Sequence, residues 1–313
     1  MFSLGGSGEV DGKVDVCIVG AGPAGMTAAV YAARKMLSVA LISRDIGGQV
    51  AWTMGIENYM GFQFITGKEL VAKFEEQVRQ FPVTVVIDEV VGIQTKGKEF
   101  VLNTKGGRAI EARSIIVASG KRPRSLGVPN ETKLIGRGVS YCATCDGQFF
   151  AGKDVAVIGG GNSAVQTAVE MSRIAKKVYV VSRSPWKADG LVADAASGIT
   201  NIETRTRFAV LDIVGEDNVE GLRVKEMTSG EVQELKVQGV FLEIGLDPNS
   251  GFVRGLLPLT GYGEVMVDCE CRTTVKGVFA AGDVTQVRDK QMIVAAGEGA
   301  KAALSAYEYL TAL

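Results

Sequence analysis

The chain contains no histidine, and that absence excludes whole classes of chemistry. Without imidazole there is no Ser-His-Asp triad, no His–carboxylate dyad and no histidine-ligated metal. Proton transfer has to run through a carboxylate, a thiol, a tyrosine, a lysine or water. An excess of charge of either sign is lacking too, with 34 basic and 35 acidic residues. The formal net charge is −1, which gives no electrostatic case for nucleic acid or for an anionic membrane surface. No apolar run approaches the length of a membrane span. Met1 to Lys13 is Gly-rich and polar, without the apolar core of a secretion signal. Five cysteines do not look like an extracellular disulfide framework. The cytoplasm is therefore the expected location. With 313 residues, 46% hydrophobic and 22% charged, the chain has room for a sizeable core and suggests two domains.

Two of the cysteines stand in Tyr141-Cys142-Ala143-Thr144-Cys145-Asp146-Gly147. A Cys-x-x-Cys spacing lets two sulfurs meet in a tight turn and cycle between dithiol and disulfide. A thiol near a helix N-terminus is also acidified, so it attacks as thiolate. An acid, Asp146, directly follows the second sulfur. The competing reading is half of a structural zinc site. That needs four ligands, and the other close pair, Cys269 and Cys271, lies far downstream with the spacing of a strand. Redox chemistry is the favoured reading.

Two glycine-rich turns flank this pair. Val14 to Val19 is short, apolar and β-branched, as a buried parallel strand requires. It runs into Gly20-Ala21-Gly22-Pro23-Ala24-Gly25 and a helix to about Met36. In Gly-x-Gly-x-x-Gly the first glycine makes the turn, the second admits a pyrophosphate and the third lets helix pack on strand. Phosphate then meets the helix N-terminus. Cys17, inside the strand, reads as core. The strand Val39 to Ile42 ends at Ser43-Arg44, where an acid usually binds ribose hydroxyls; Ser43 takes that place. Gly47-Gly48-Gln49 is a turn suited to backbone contact with a flat ring. Thr66 to Glu69 is a capping box opening a helix whose core face is Leu70, Val71, Phe74 and Val78. Turns at Lys96-Gly97 and Lys105-Gly106-Gly107 predict an inserted β-meander. Ser114 to Gly120 predicts a buried strand, and Lys121 to Leu126 a crossover linker.

The second unit repeats the first. The strand from Asp154 runs into Gly159-Gly160-Gly161-Asn162-Ser163-Ala164, followed by a helix to about Ala175. The strand Lys177 to Val181 then ends at Ser182-Arg183. The interval from first glycine to serine is the same in both units, which argues for two bound dinucleotides or an old duplication. Ser-Arg without an acid suits a 2′-phosphate, and Lys187 could add charge; solvated surface charge is the alternative. A second set of short strands is predicted from about 202 to 244, and Asp247-Pro248 marks a second linker. Glu264 to Asp268 alternates like a half-buried strand. It would place Cys269 and Cys271 on one face, as two packed thiols in preference to a second redox pair or a metal clip. Lys276 to Asp283 predicts a buried strand, and Gln291 precedes a helix from Met292 to about Leu310 with small residues on one face. The expected fold class is α/β: two Rossmann-like dinucleotide-binding domains, the second inserted into the first, each with an added β-meander. The expected domains are 1–119 with 250–313, and 120–249.

These motifs resemble the low-molecular-weight thioredoxin reductase family over nearly the whole chain. The matching stretches are Gly20 to Gly25, Gly47-Gly48-Gln49, Glu57-Asn58-Tyr59, Ala118-Ser119-Gly120, Cys142 to Gly147, Gly159 to Ala164 and Gly277 to Asp283. The C-terminal stretch from Lys290-Gln291 through Gly297-Glu298-Gly299-Ala300-Lys301-Ala302-Ala303-Leu304 also resembles the flavoprotein component of alkyl hydroperoxide reductase, which carries an extra N-terminal redox module. The resemblance implies FAD on the first unit, at Gly20, Gly22, Pro23, Ala24, Gly25, Ser43, Gly48, Gln49, Asn58, Ala118, Gly120, Gly282, Asp283 and Gln291. It implies a nicotinamide cofactor on the second, at Gly159, Gly161, Asn162, Ser163, Arg183 and Lys187. Cys142 and Cys145 would form the disulfide that accepts flavin electrons, with Cys145 facing the flavin and Cys142 attacking the substrate. Asp146 would serve as general acid or base. The implied partner is thioredoxin or a similar small redox protein, and the implied assembly a homodimer. The linkers near 119–124 and 245–250 would hinge a rotation that presents nicotinamide and disulfide to the flavin in turn. NADPH-using members carry His-Arg-Arg where this chain has Ser182-Arg183-Ser184-Pro185-Trp186-Lys187. The donor is accordingly open between NADPH, NADH and another reductant such as ferredoxin. A dithiol oxidase on the same scaffold is the alternative activity.

Overall fold

The computed structural model describes residues 10, 12–53, 55–186, 188, 196 and 198–312. Lys187 lies outside them. The chain divides into two compact units: Met1–Thr53 with Tyr59–Arg122 and Asp247–Leu313, and Met54–Asn58 with Pro123–Leu246.

The first unit is built on one mixed sheet. β1 (Lys13–Ala21) lies between β2 (Val39–Ile46) and β6 (Ala109–Val117), parallel to both. β3 (Val83–Ile87) extends the sheet beyond β2, and β4 (Val90–Lys96) and β5 (Glu99–Thr104) extend it beyond β6. The meander is thus not a separate insertion. β6 pairs antiparallel with β5 through Ala109 to Ala112, then parallel with the strand Val278–Ala280 through Ile115 to Val117. One nine-residue strand serves both, with Ile110, Ala112 and Ile115 to Val117 all buried along it. Ile18, Ile115 and Ile116 are fully buried; each such side chain contributes about 1.5–3 kcal/mol.

Helix α1 (Pro23–Arg34) and the C-terminal helix Met292–Thr311 pack together over one face of this sheet. Small residues permit the approach. A Cβ on Gly299 would stand 2.1 Å from the Ala24 carbonyl oxygen, whereas one on Gly297 would meet nothing within 4 Å. Helix α2 (Gly67–Val78) opens with the expected capping box. The Thr66 hydroxyl accepts from the Glu69 N–H, and the Glu69 carboxylate from the Thr66 N–H. Leu70, Val71 and Val78 are buried, and Phe74 sits edge-on to Tyr59.

The predicted strand Glu264 to Asp268 does not form; Val265 alone makes bridges, to Leu259 and Thr285. The Asp268 carboxylate accepts the N–H groups of Glu270 and Arg272 and folds the backbone into a tight turn. That turn separates the two thiols expected on one face. Cys269 is exposed, while Cys271 is buried at a left-handed φ of +63°.

The second unit has its own parallel sheet. Two short strands, β7 (Lys121–Pro123) and Leu246–Pro248, pair where the chain leaves the first unit and returns. The sheet holds β8 (Val139–Ser140), β9 (Asp154–Ile158), β10 (Lys177–Ser182), β11 (Ile202–Thr206) and β15 (Gly239–Leu242) in the order β11-β10-β9-β15-β8. Helix α3 (Ala143–Asp146) precedes β9, and α4 (Asn162–Ser172) links β9 to β10. β12 (Phe208–Val214), β13 (Gly221–Glu226) and β14 (Val232–Leu235) form a separate antiparallel sheet.

The two helix glycines predict opposite outcomes. Gly299→Ala must push back the Ala24 backbone and is expected to lower the melting temperature by several degrees. Gly297→Ala adds helix propensity in open space and is expected to raise it, at about 0.5–1 kcal/mol. Thermal unfolding of the two variants followed by circular dichroism checks the signs.

Candidate functional site

Cys142 and Cys145 are joined as a disulfide, their Cα atoms 5.3 Å apart. Cys142 is the N-cap of α3, and its sulfur accepts the Cys145 N–H at 3.1 Å. The turn is pressed onto α4: a Cβ on Gly147 would lie 3.0 Å from the Met171 sulfur. Ser140 supports the pair from the preceding strand. Its hydroxyl donates to Asp146 Oδ2 at 2.6 Å and accepts the Cys142 N–H at 3.1 Å. Asp146 Oδ1 is buried without a hydrogen-bond partner. Burial therefore pushes the Asp146 carboxyl above the usual carboxylate range, with the Ser140 hydroxyl acting against it. A carboxyl biased toward holding a proton, next in sequence to a redox sulfur, can supply or remove that proton as the disulfide opens and closes.

Neither Ser140 nor Glu131 emerges from the sequence reading. Glu131 is 2% exposed and accepts from the Ser125 hydroxyl, the Leu126 and Gly127 N–H groups and the Tyr141 hydroxyl. Burial and this carboxylate push Tyr141 up to about 12. Tyr141 stays neutral and pins the residue before Cys142. Ser140 lies two residues before Cys142, but no local pattern marks its partner.

Both glycine turns have the shape a dinucleotide needs. Gly20 has a φ of +108°, and its Cβ would fall 2.3 Å from the Ala118 carbonyl oxygen. Gly25 would meet the Gly20 carbonyl oxygen at 1.8 Å. Gly22, by contrast, faces open space and caps α1 without a side-chain bond or an acid in the first turn. In the second unit Gly159, with a φ of +149°, lies as close to the Glu243 carbonyl oxygen, and Gly161 faces open space. It caps α4, again with no side-chain cap bond and no acid in the first turn. A backbone cradle whose outward glycines leave room at an uncapped N-terminus fits a pyrophosphate.

Of the other residues expected in the first unit, Ser43, Gly48 and Gly282 lie against its cradle. Ser43 accepts the Ala21 N–H at 3.1 Å, and the Gly47 N–H donates to the Ala21 carbonyl at 2.8 Å. A Cβ on Gly48 would lie 3.8 Å from the Gly22 Cα, which sets Gln49 beside the same turn. Gly282, at a φ of +76°, touches Ala24, and its N–H donates to Glu298 Oε2 at 2.7 Å. Gly120 takes a left-handed φ of +65° just after Ala118. Burial pushes the Asp283 carboxyl above the usual carboxylate range, with Lys290 and Lys121 acting against it. Gln291 is the N-cap of the C-terminal helix. Asn58 is exposed and groups with the second unit. There Asn162 and Ser163 open α4 at the surface, Arg183 is exposed just past β10, and the Ser182 hydroxyl is committed to the Ser184 carbonyl at 2.7 Å. Among the described residues no helix is long and apolar enough to cross a membrane.

Known proteins share this arrangement. Thioredoxin reductase from Streptococcus pyogenes superposes with a TM-score of 0.94 at 38% identity, covering 97% of this chain and 100% of that one. Thioredoxin reductase from Giardia duodenalis gives 0.91 at 30% identity, covering 96% and 100%. The F component of alkyl hydroperoxide reductase in Staphylococcus aureus is 39% identical over 302 residues, 95% of this chain and 59% of that protein. Its Escherichia coli counterpart is likewise 39% identical, with 58% of its length covered. The chain thus spans less than two thirds of the curated relatives it matches. The family described as pyridine nucleotide-disulphide oxidoreductase matches residues 14–299. By that match, and with a disulfide-bonded Cys-x-x-Cys and two dinucleotide cradles, the chain belongs to the pyridine nucleotide-disulphide oxidoreductase family.

Proposed function

We propose that the chain is a thioredoxin-disulfide reductase. It passes electrons from NADPH through FAD and the Cys142–Cys145 disulfide to thioredoxin or a similar small redox protein. The observation that carries this reading is the disulfide itself, bonded at the N-terminus of α3 with the half-satisfied Asp146 carboxyl beside it. The family implies FAD and NADPH, and the two cradles fit them. The first, within 1–119 and 250–313, would hold FAD; the second, within 120–249, the nicotinamide dinucleotide.

FAD, when bound, links a two-electron hydride donor to disulfide reduction. The protein's own residues do the rest. Two electrons and two protons convert the Cys142–Cys145 bond into two thiols. Cys142, as thiolate, attacks the partner's disulfide and forms a mixed disulfide, releasing one partner sulfur. Cys145 then attacks Cys142, re-forms the internal bond and frees the reduced partner. Asp146 donates to the leaving sulfur and takes the proton back from the attacking one. Gly22 and Gly161 admit the two pyrophosphates. The likeness to alkyl hydroperoxide reductase favours a second reading, in which the receiving disulfide serves alkyl hydroperoxide reduction. Release of hydrogen peroxide on adding a dithiol would instead mark an oxidase.

Anaerobic mixing of the flavin-loaded protein with NADPH or NADH separates the donors. Rapid bleaching by NADPH is expected and makes Arg183 the phosphate contact to substitute. Faster bleaching by NADH keeps the enzyme class and changes the donor. Bleaching by reduced ferredoxin alone removes the second cradle from the scheme.

Asp146→Asn separates catalysis from stability. Burial raises this carboxyl, so the fold favours its protonated form. Its contribution is complete below the unfolded value and is lost as pH rises through the folded one. The variant is therefore expected to melt higher than wild type at neutral pH, with the gap closing on acidification. Its disulfide reduction should slow about 100-fold. Melting curves and turnover measured across pH check both arms, and unchanged turnover would remove Asp146 from the mechanism.

A further inference from the structure

Ser140 stands in β8 opposite Phe241 of β15 and is 5% exposed. Its hydroxyl meets three groups of the redox turn. The Cys142 N–H donates to it at 3.1 Å, Asp146 Oδ2 lies 2.6 Å away and the Cys142 carbonyl oxygen 3.3 Å away. Both of the last two accept, but a hydroxyl has a single proton to donate. It serves one of them at a time. The Asp146 N–H also donates to the Cys142 carbonyl, at 3.1 Å. That carbonyl therefore keeps a partner when the hydroxyl turns away from it.

A hydroxyl also has two lone pairs, and these decide how the network answers a proton on Asp146. With the carboxyl ionised, or protonated on Oδ1, Ser140 donates to Oδ2 and accepts the Cys142 N–H. With the proton on Oδ2, that oxygen is the donor. Ser140 then accepts from it and from the Cys142 N–H, and turns its own proton to the Cys142 carbonyl. Oδ2 is thus bonded in every proton state, which a backbone N–H or an ammonium, being donors only, could not achieve. Oδ1 is buried with no hydrogen-bond partner among the described residues. Burial pushes this carboxyl up and the Ser140 hydroxyl opposes it. The ionisable groups nearby are Tyr141, Cys142 and Cys145 in its own segment and Glu170 on α4, which the Thr144 hydroxyl meets at 3.5 Å. A change at Ser140 leaves all of them in place.

We propose that Ser140 is a positioning residue whose hydroxyl holds Asp146 Oδ2 in every proton state and so reserves Oδ1 as the oxygen that exchanges a proton with the redox sulfurs. This deepens the reading that Asp146 is the acid and base of the disulfide, and rests on it. When Cys142 is activated, its S–H bond breaks, an Oδ1–H bond forms and the negative charge passes from carboxylate to sulfur. In the return step the Oδ1–H bond breaks and the proton ends on the leaving sulfur. A carboxyl free to turn would present either oxygen, and the fixed orientation on which the transfer depends would be lost.

The test opens the oxidised, FAD-loaded protein with dithiothreitol under anaerobic conditions across pH, alkylates the released thiols and counts them by mass. Circular dichroism scores folding. Ser140→Ala is expected to open about 10-fold more slowly than wild type. The ionised carboxylate loses its donor in this variant and holds its proton to higher pH. The alkaline limb of the profile, where Asp146 gives up that proton, should therefore move up by about one pH unit. Ser140→Thr, which keeps the hydroxyl, should restore both rate and limb. In an Asp146→Asn background, Ser140→Ala should leave the profile where it is. A Ser140→Ala limb that coincides with wild type, while Asp146→Asn alters the profile, would overturn the proposal and leave Asp146 as the acid. A shift that persists in the Asp146→Asn background would overturn it too, because the hydroxyl would then act on Cys142 directly. A wild-type profile in Asp146→Asn alone would remove the reading on which the proposal stands. If Ser140→Thr does not fold, the double variant still decides.

Discussion

In each unit a bare backbone presses on the carbonyl end of a neighbouring strand, and the rest of the architecture depends on that contact. At Gly20 and again at Gly159 there is 2.3 Å between the place for a Cβ and the neighbouring carbonyl oxygen. No other side chain fits. Because the strand passes so close, the following helix starts directly above the sheet edge. Its first N–H groups then point outward with no side chain capping them. The empty space beyond Gly22 and Gly161 is the other half of the same constraint. The anion-binding ends of α1 and α4 follow from the tightness of the turns before them.

The chemistry follows from having no imidazole. A histidine placed near a thiol would supply a proton near neutral pH without special surroundings. Here a carboxylate has to be brought toward that range by its environment. Burial raises Asp146 in that direction, one of its oxygens having no hydrogen-bond partner. Asp283 is raised in the same direction by burial, with Lys290 and Lys121 acting against the shift. Both aspartates are thus biased toward holding a proton, Asp146 with one hydroxyl opposing the shift and Asp283 with two ammonium groups.

How much of this could be read in advance depended on sequence distance. The glycine turns, the Cys-x-x-Cys and the Thr66–Glu69 capping box are local devices, and the structure forms each where its residues stand. The stretch Glu264 to Asp268 shows where local reading breaks down. Its alternation is genuine, but Asp268 gives the backbone a local alternative by accepting two amide protons, and the strand gives way to a turn. β6 was legible only in halves, since its meander partner and its parallel partner come from opposite ends of the chain. The Lys121–Glu264 ion pair, at 2.6 Å, joins residues 143 positions apart, and no window of sequence contains both.

The two β-meanders, alike in outline, differ in how they are joined to their sheets. In the first unit β6 is a strand of both, so the meander cannot come away without breaking the pairing that holds β1 and Val278–Ala280. In the second unit β12, β13 and β14 share no strand with the parallel sheet. Cooperativity passes through shared hydrogen bonds and shared core. The first unit is thus tied together by backbone pairing as well as by core. In the second the two sheets hold together through side chains alone, Ile213, Leu222 and Val224 packing in one core with Ala156, Ile158 and Val240.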